Sequence, residues 1–485
     1  MGRSSLFLLI LLGAISGLTP LAVDMYLPAI PTIADELGVG TEAVQLTVST
    51  FLAGFALGQL FYGPLADSLG RKPVILFGLG LFVLASLGCA LATSLPALLL
   101  FRLLQAVGGA AGAVVVNALL RDLFRDAEFV RALTLVILTM TLAPLVAPVV
   151  GGLLLHVGWR VIFWILMALG CALWLTLVWQ VPETLKPELR QSLRLSTVFA
   201  NYGRVLRHPR AMGSLLAGTF ASAGMFAFIS GSPYVYIDYF GVPAQHYGFL
   251  FGLNVLLLMA MTWLNGRFVK RVGMLPMLRL GLVLASVAGL VMVVNAVTGW
   301  GGLWGIVIPV VLYVGQMSVV GANSTSHALS FFPANAGTAS ALAGTLRFGA
   351  GALAGVAVNL MPATSPLPMA AMMAATTSAG MPCSTWGAAG ACAAAGFAAG
   401  ACAAVLAAFF LAFIESKILP SSVMIAISST RIRNTSTIPV TVTTTSKPKS
   451  MVFLLFLVYC VRYKIVSRKS IWVHYTLFSN LFQQK

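Results

Sequence analysis

The sequence predicts an all-α integral membrane protein of twelve spans, arranged as two six-helix halves. Three observations carry this prediction. Of 485 residues, 59% are hydrophobic and only 8% charged, whereas soluble domains carry about 25% charged residues. Apolar runs recur at the roughly 20-residue length that crosses a hydrocarbon core. They fall at about 5–31, 42–65, 73–93, 95–118, 130–153, 159–181, 211–235, 246–266, 274–297, 300–322, 336–361 and 387–413. One long polar connector, 183–210, then divides these runs into six and six. Barrel strands would alternate with a period of two, and no run does so.

The first run follows Arg3 but is too long for the apolar core of a signal peptide, and the second span follows it at once. It reads as an uncleaved first span. The charges between spans set the expected topology. Arg71 and Lys72, then Arg121, Arg125 and Arg131, then the basic residues of 186–210, then Arg267, Lys270 and Arg271 fall in every second loop. Asp35, Glu36, Glu42 and Asp238 fall in the others, with Arg160 the exception. This is the positive-inside pattern, so both ends of the twelve-span unit are expected in the cytoplasm. The net charge of +17 therefore reflects membrane topology and not nucleic-acid binding. Residues 414–485 hold ten of the 29 basic residues and one of the twelve acids, which leaves +8 for 1–413.

Four regions follow: a first bundle over 1–182, a cytoplasmic connector over 183–210, a second bundle over 211–415 and a basic tail over 416–485. Within the second bundle, 364–386 is weakly apolar and interrupted by Pro366, Pro368 and Pro382, and reads as an insertion before the last span. The tail is rich in Ser, Thr and Lys and is expected to be disordered. Its one apolar run, 451–461, is too short to cross a bilayer, and deleting 416–485 should leave function intact if the tail is dispensable. Asn265-Gly266-Arg267-Phe268-Val269-Lys270-Arg271-Val272-Gly273 echoes Gly63–Lys72, with Lys270 and Gly273 at the spacing of Asp67 and Gly70. The acid has become a base, so the turn geometry alone is expected to survive duplication.

An enzyme is not expected from these residues. The six cysteines show no CxxC spacing, and the five histidines are scattered with no H-E-x-x-H pattern. No metal site and no cofactor are expected. Three charges lie deep within spans: Asp24, Arg102 and Arg347. A charge at that depth is a functional hypothesis by default, because lipid penalises it. Asp24 lies seven residues before Pro31, and Arg102 seven after Leu95. Both therefore sit about 10 Å from the outer end of their spans, at a depth where they are expected to meet. Desolvation favours a protonated carboxyl, and a nearby Arg favours the ionised form. A structure that changes both influences lets Asp24 take a proton on one side and release it on the other.

Several motifs together resemble the major facilitator superfamily, and within it the drug:proton antiporters of the bicyclomycin-resistance (Bcr/CflA) type. They are Asp24-Met25-Tyr26-Leu27-Pro28-Ala29-Ile30-Pro31 in span 1, FALGQLFYGPLADSLGRKP through span 2 and its loop, Ala143-Pro144-Leu145-Val146-Ala147-Pro148-Val149-Val150-Gly151-Gly152 in span 5, and AGTASALAGTLRFGAGAL in span 11. The likeness covers about 1–361.

The resemblance implies a major facilitator fold with parallel six-helix repeats and proton-driven efflux of small drugs by alternating access. Gly63, Asp67, Gly70, Arg71 and Lys72, with Arg121 and Asp122, are similar to the cytoplasmic latch of the family. Pro144, Pro148, Gly151 and Gly152 resemble its antiporter motif, in which the prolines bend the span. Arg102, within L-x-x-x-R-x-x-Q, resembles the Arg implicated in proton coupling; the usual following Gly is Ala106 here. Arg347 matches an Arg of span 11. Polar and aromatic residues within cavity-type spans nominate Tyr26, Gln59, Gln105, Asn117, Phe226, Tyr234 and Asn254 as a drug-contacting wall. Bicyclomycin, sulfonamides and chloramphenicol suit the resemblance, and so does a small metabolite such as an amino acid, moved out or in. The implied partners are drugs, protons and lipid, with no nucleic acid, for a monomer in the bacterial inner membrane.

Overall fold

A computed structural model of the protein describes residues 3–124, 126–190, 195–332, 336–361 and 365–384. Regular structure among these residues is helical. In chain order the elements are α1 (Arg3–Asp24), a 3-10 turn (Leu27–Ala29), α2 (Ile30–Leu37), α3 (Thr41–Leu69), α4 (Arg71–Leu91), α5 (Leu95–Leu123), α6 (Asp126–Leu154) and α7 (Arg160–Gln180). They continue with α8 (Leu195–Leu206), α9 (Pro209–Pro233), α10 (Ala244–Val272), α11 (Met274–Thr298), α12 (Gly302–Leu329), α13 (Ala336–Asn359) and α14, over 367–384. Eleven of the described helices, with α1 and α2 counted as one, are long and apolar enough to cross a membrane.

The two halves repeat the same packing. In the first, α1 packs on α6, α3 and α4 pack on α5, and α4 packs on α7. In the second, α9 packs on α13, and α10 and α11 pack on α12. The halves meet along two seams, α3 with α13 and α6 with α10, which exchange under the two-fold relation between repeats. Large apolar side chains such as Phe77, Leu84, Trp179 and Leu353 stay exposed on the outside, as a surface solvated by lipid requires.

The loop after span 2 is shorter than expected. α3 continues through Gly63, Pro64 and Asp67 to Leu69, and α4 begins at Arg71, so the turn is Gly70 alone. Gly70 has φ 106°, ψ 158°, and Gly273, between α10 and α11, has φ 93°, ψ 158°. A side chain is strongly disfavoured in that conformation. The preceding helices, α3 and α10, are both 29 residues long. The echo is thus a shared turn geometry in which the Asp67 charge is not kept.

Residues 364–386 need correction. The sequence reads them as an insertion and sets the last span at 387–413, which lies outside the described residues, as does the tail from 416. Yet 367–384 form α14, packed into the second half. Tyr313 Oη donates to the Met373 carbonyl at 3.3 Å and is also bonded to the Thr377 hydroxyl. Arg279 Nη2 donates to the Ser384 carbonyl at 3.3 Å, and Gly289 lies against Ala374. Pro366 precedes α14 and Pro368 lies in its first turn, where no backbone donor is needed, so they start a helix instead of breaking one. Its hydroxyls lower the hydropathy but are satisfied inside the bundle, where Met369, Ala370 and Met373 are buried.

The connector holds α8, an amphipathic helix whose Tyr202 and Val205 pack against Ala211, Met212, Leu215, Phe332 and Leu342 of the second half. Tyr202 Oη donates to the Leu60 carbonyl of α3 at 2.9 Å, which ties the connector to the first half. Arg160, the exception to the charge rule, is paired with Glu36 and donates to the Ala92 carbonyl at 3.2 Å. It staples α2 and α7 to the α4–α5 turn.

Candidate functional site

The first span is broken at its acidic residue. Pro28 offers no N–H to the Asp24 carbonyl four residues earlier. α1 therefore ends at Asp24, Met25 and Tyr26 form a turn, and Ala29 N–H closes a tight bond to the Tyr26 carbonyl at 3.0 Å before α2 resumes. A helix end leaves carbonyls without intrahelical donors. Two of them are approached from other helices. Arg102 Nη1 donates to the Ala22 carbonyl at 3.0 Å. The Met25 carbonyl lies so close to Gly151 of α6 that a Cβ there would stand 2.1 Å away. Gly151 is thus needed where α6 rests on the unwound turn.

The expected meeting of Asp24 and Arg102 does not occur. Among the described residues Asp24 forms no ion pair and no side-chain hydrogen bond, although it is only 5% exposed. Arg102 is fully buried and binds the α1 backbone instead of the carboxylate, because the break supplies a free carbonyl there. Its Nη1 also donates to Gln105 Oε1 at 2.8 Å, and Gln105 Nε2 donates to Ser86 Oγ at 2.8 Å. The guanidinium lies 4.4 Å from the Phe51 ring centre, 4.6 Å from Tyr26 and 5.8 Å from Phe163, so ring faces stabilise the charge. Nε and Nη2 have no hydrogen-bond partner. The Thr47 hydroxyl lies 2.8 Å from Tyr26 Oη and fixes that ring.

Asp24 ends α1 just before the Leu27–Ala29 turn, which packs against α9 and α10 of the other half. The Tyr247 hydroxyl is 2.7 Å from Ser232 Oγ of α9, and the fully buried Tyr236 hydroxyl nearby has no partner. The acid therefore belongs to the first half by chain and abuts the second by position.

At the connector end, Arg71 Nη1 bonds Asp67 Oδ1 at 2.5 Å and Arg71 Nε bonds Asp122 Oδ2 at 3.4 Å. The sequence reading missed Glu183, which accepts the N–H groups of Arg71 at 3.0 Å and Lys72 at 3.2 Å and so caps α4. Lys72 Nζ in turn donates to the Val178 carbonyl at the end of α7, at 2.8 Å. The signal was a lone acid immediately after span 6, in Pro182-Glu183-Thr184. All these contacts lie within the first half and the start of the connector. Gly63 sits in α3, and Arg121 makes no ion pair among the described residues.

The remaining nominees do not form one wall. Tyr26 and Gln105 belong to the Arg102 cage. Phe226 packs on Phe348 at 5.1 Å, and Phe348 on Phe55 at 4.5 Å, across the α3–α13 seam. Gln59 lies against Gly344 in the same seam. Asn254 is buried, Tyr234 sits at the Glu42 end, and Asn117 is exposed toward the connector end. Arg347 reaches α12, where its Nη2 donates to the Gly321 carbonyl at 2.8 Å, Ser324 Oγ at 2.9 Å and Thr325 Oγ1 at 2.6 Å. On α6, Pro144 and Pro148 stay within the helix, and Gly152 lies against the Ala244 carbonyl of α10.

Comparison with known proteins agrees with this architecture. Residues 12–356 match the Major Facilitator Superfamily. The chain is 36% identical over 374 residues to a bicyclomycin resistance protein homolog of Haemophilus influenzae, covering 77% of this chain and 94% of that one. It is 31% identical over 360 residues to multidrug resistance protein D of Escherichia coli, covering 73% and 88%. The xylose transporter XylE from E. coli superposes with a TM-score of 0.61 at 12% identity, over 77% of this chain and 95% of that one, a likeness of fold. This chain is a member of the major facilitator superfamily, a multi-pass membrane transporter with that superfamily's fold.

Proposed function

We propose that the protein exports small drugs across the bacterial inner membrane in exchange for protons, by alternating access of the two halves. The connector end faces the cytoplasm in this reading, as the basic loops require. The observation that carries it is the buried, unpaired carboxyl of Asp24 at a break in the first span, set against the opposite half. A buried charge without a partner is costly enough that such a group binds a proton instead. The halves are closed where Gly152 meets Ala244 and Gly248 meets Val149, while Asn117 near the connector is exposed. This is the arrangement expected of a cytoplasm-facing state.

When the halves rock, Asp24 parts from α9 and α10, meets water, and exchanges its proton. A cationic or polar drug that replaces the proton's contribution in the cavity couples the two fluxes. Arg102 positions the end of α1 throughout, because its bonds lie within the first half. The relatives' names for bicyclomycin and multidrug resistance support drugs as the cargo.

The test is a susceptibility panel in a host stripped of its own exporters. Expression should raise the inhibitory concentration of bicyclomycin or chloramphenicol, and a protonophore should abolish the accompanying efflux. Unchanged susceptibility across the panel contradicts drug export. Efflux that survives the protonophore contradicts the coupling.

A further inference from the structure

The two seams between the halves differ in chemistry at the Glu42 end. Along α6–α10 the helices are in close contact: Gly152 lies against the Ala244 carbonyl, Gly248 against the Val149 backbone and Gly252 against Leu145. Along α3–α13, polar side chains are buried without partners. Gln45, Ser49 and Ser230 are 3%, 2% and 0% exposed, and Gln45 Nε2, Ser49 Oγ and Ser230 Oγ have no hydrogen bond. Both polar atoms of the Asn359 side chain are likewise unpaired.

These groups converge. A Cβ built on Gly355 would stand 2.4 Å from Ser49 Oγ and 2.7 Å from Ser230 Oγ. At the Glu42 end of this seam Glu42, Gln45, Tyr234, Asn359, Ser365 and Met369 are among the residues lining a small, partly open cleft of about 20 Å³. Buried donors and acceptors in a protein interior are almost always satisfied by protein or by water. Space for a water beside several unpaired polar groups is where water is held. Ser49 lies eight residues inside α3 from Thr41, about 12 Å deep, the level at which Asp24 sits.

We infer that the cleft between Glu42, Gln45 and Asn359 in the α3–α9–α13 seam holds exchangeable water, which hands protons inward past the Ser49 and Ser230 hydroxyls toward the level of Asp24 while the α6–α10 seam stays sealed. The hydration stands on the unpaired groups, and the proton traffic rests on the coupling proposed above. Glu42 supplies the outer carboxylate, and the amides of Gln45 and Asn359 and the hydroxyls of Ser49 and Ser230 supply the hydrogen-bonding wall.

Hydroxyl-radical footprinting by pulsed X-rays, read by mass spectrometry on the full chain in lipid nanodiscs, tests the hydration directly. Radicals formed from bound water modify side chains that bulk solvent does not reach. Met369 lines the cleft at 1% exposure, and Met292 is 0% exposed within the second half and serves as the dry control. Met369 should be oxidised about tenfold faster than Met292, and Gln45→Leu or Asn359→Leu should remove most of that difference. In proteoliposomes holding a pH dye, the same variants should slow substrate-driven proton movement about tenfold and leave substrate exchange without a gradient unchanged.

Met369 as silent as Met292 overturns the inference. So does a labelled cleft whose drying by both variants leaves proton movement at its original rate. Two variants guard against one that fails to fold, which a melting curve reports. If the unaltered protein moves no protons at all, the coupling reading fails, and the labelling of Met369 still decides the hydration.

Discussion

Arg102 and Arg347 are both buried cations, and their bonding separates them. Arg347 uses one nitrogen, Nη2, for three acceptors on α12. The two N–H groups of Nη2 are shared among them, and a Lys ammonium offers three donors from one atom, so Arg347→Lys should keep most of the transport rate. Arg102 instead lays a flat guanidinium over ring faces while Nη1 holds the end of α1. A point charge does not reproduce that geometry. Arg102→Lys should therefore lower drug efflux more than tenfold while the protein still inserts; equal rates for both lysine variants would refute the distinction. Gly151 belongs to the same scale. Gly151→Ala places a methyl group 2.1 Å from the Met25 carbonyl and should cost about 1–3 kcal/mol, seen as a lower melting temperature in detergent. Neither consequence could be read from the sequence, because spacing gives depth along a helix and not which backbone atom a side chain will find.

At the scale of elements, the break in the first span was present in the residues but not drawn out. Pro28 stands four residues after Asp24, and that spacing removes a helical donor; the run around it is apolar enough to pass for one continuous helix. α14 failed the opposite way. Its prolines and hydroxyls suggested an interruption, yet Pro366 precedes the helix, Pro368 lies in its first turn, and Thr376 and Thr377 find acceptors one turn back. Hydropathy measures preference for lipid, and an element satisfied by its neighbours does not need it. The α4 cap shows a third limit. Glu183 is separated from Arg71 by more than a hundred residues and meets it only because α4 and α7 lie side by side. Glu183→Gln keeps the shape and removes a charge from a helix N-terminus, and should lower stability by about 0.5–1 kcal/mol. Thermal unfolding of the purified protein measures this, and an unchanged midpoint would mean the carboxylate contributes nothing.

For the whole molecule, the duplication was legible because it leaves two marks in the sequence. One is the long connector between equal sets of spans, and the other is the glycine spacing shared by Gly70 and Gly273. The structure returns both, as matching helix contacts and as one turn geometry used twice. The charges did not follow the symmetry. Asp67 became Lys270, and the acid of the first span ended up next to the turn that packs on α9 and α10 of the other half. That asymmetry is what allows relative motion of the halves to change the surroundings of a single carboxyl. Its direct test uses purified Asp24→Asn protein in liposomes with an imposed pH gradient and labelled chloramphenicol as cargo. The account predicts that gradient-driven accumulation disappears while downhill exchange of the drug continues; accumulation equal to that of the unaltered protein would contradict it.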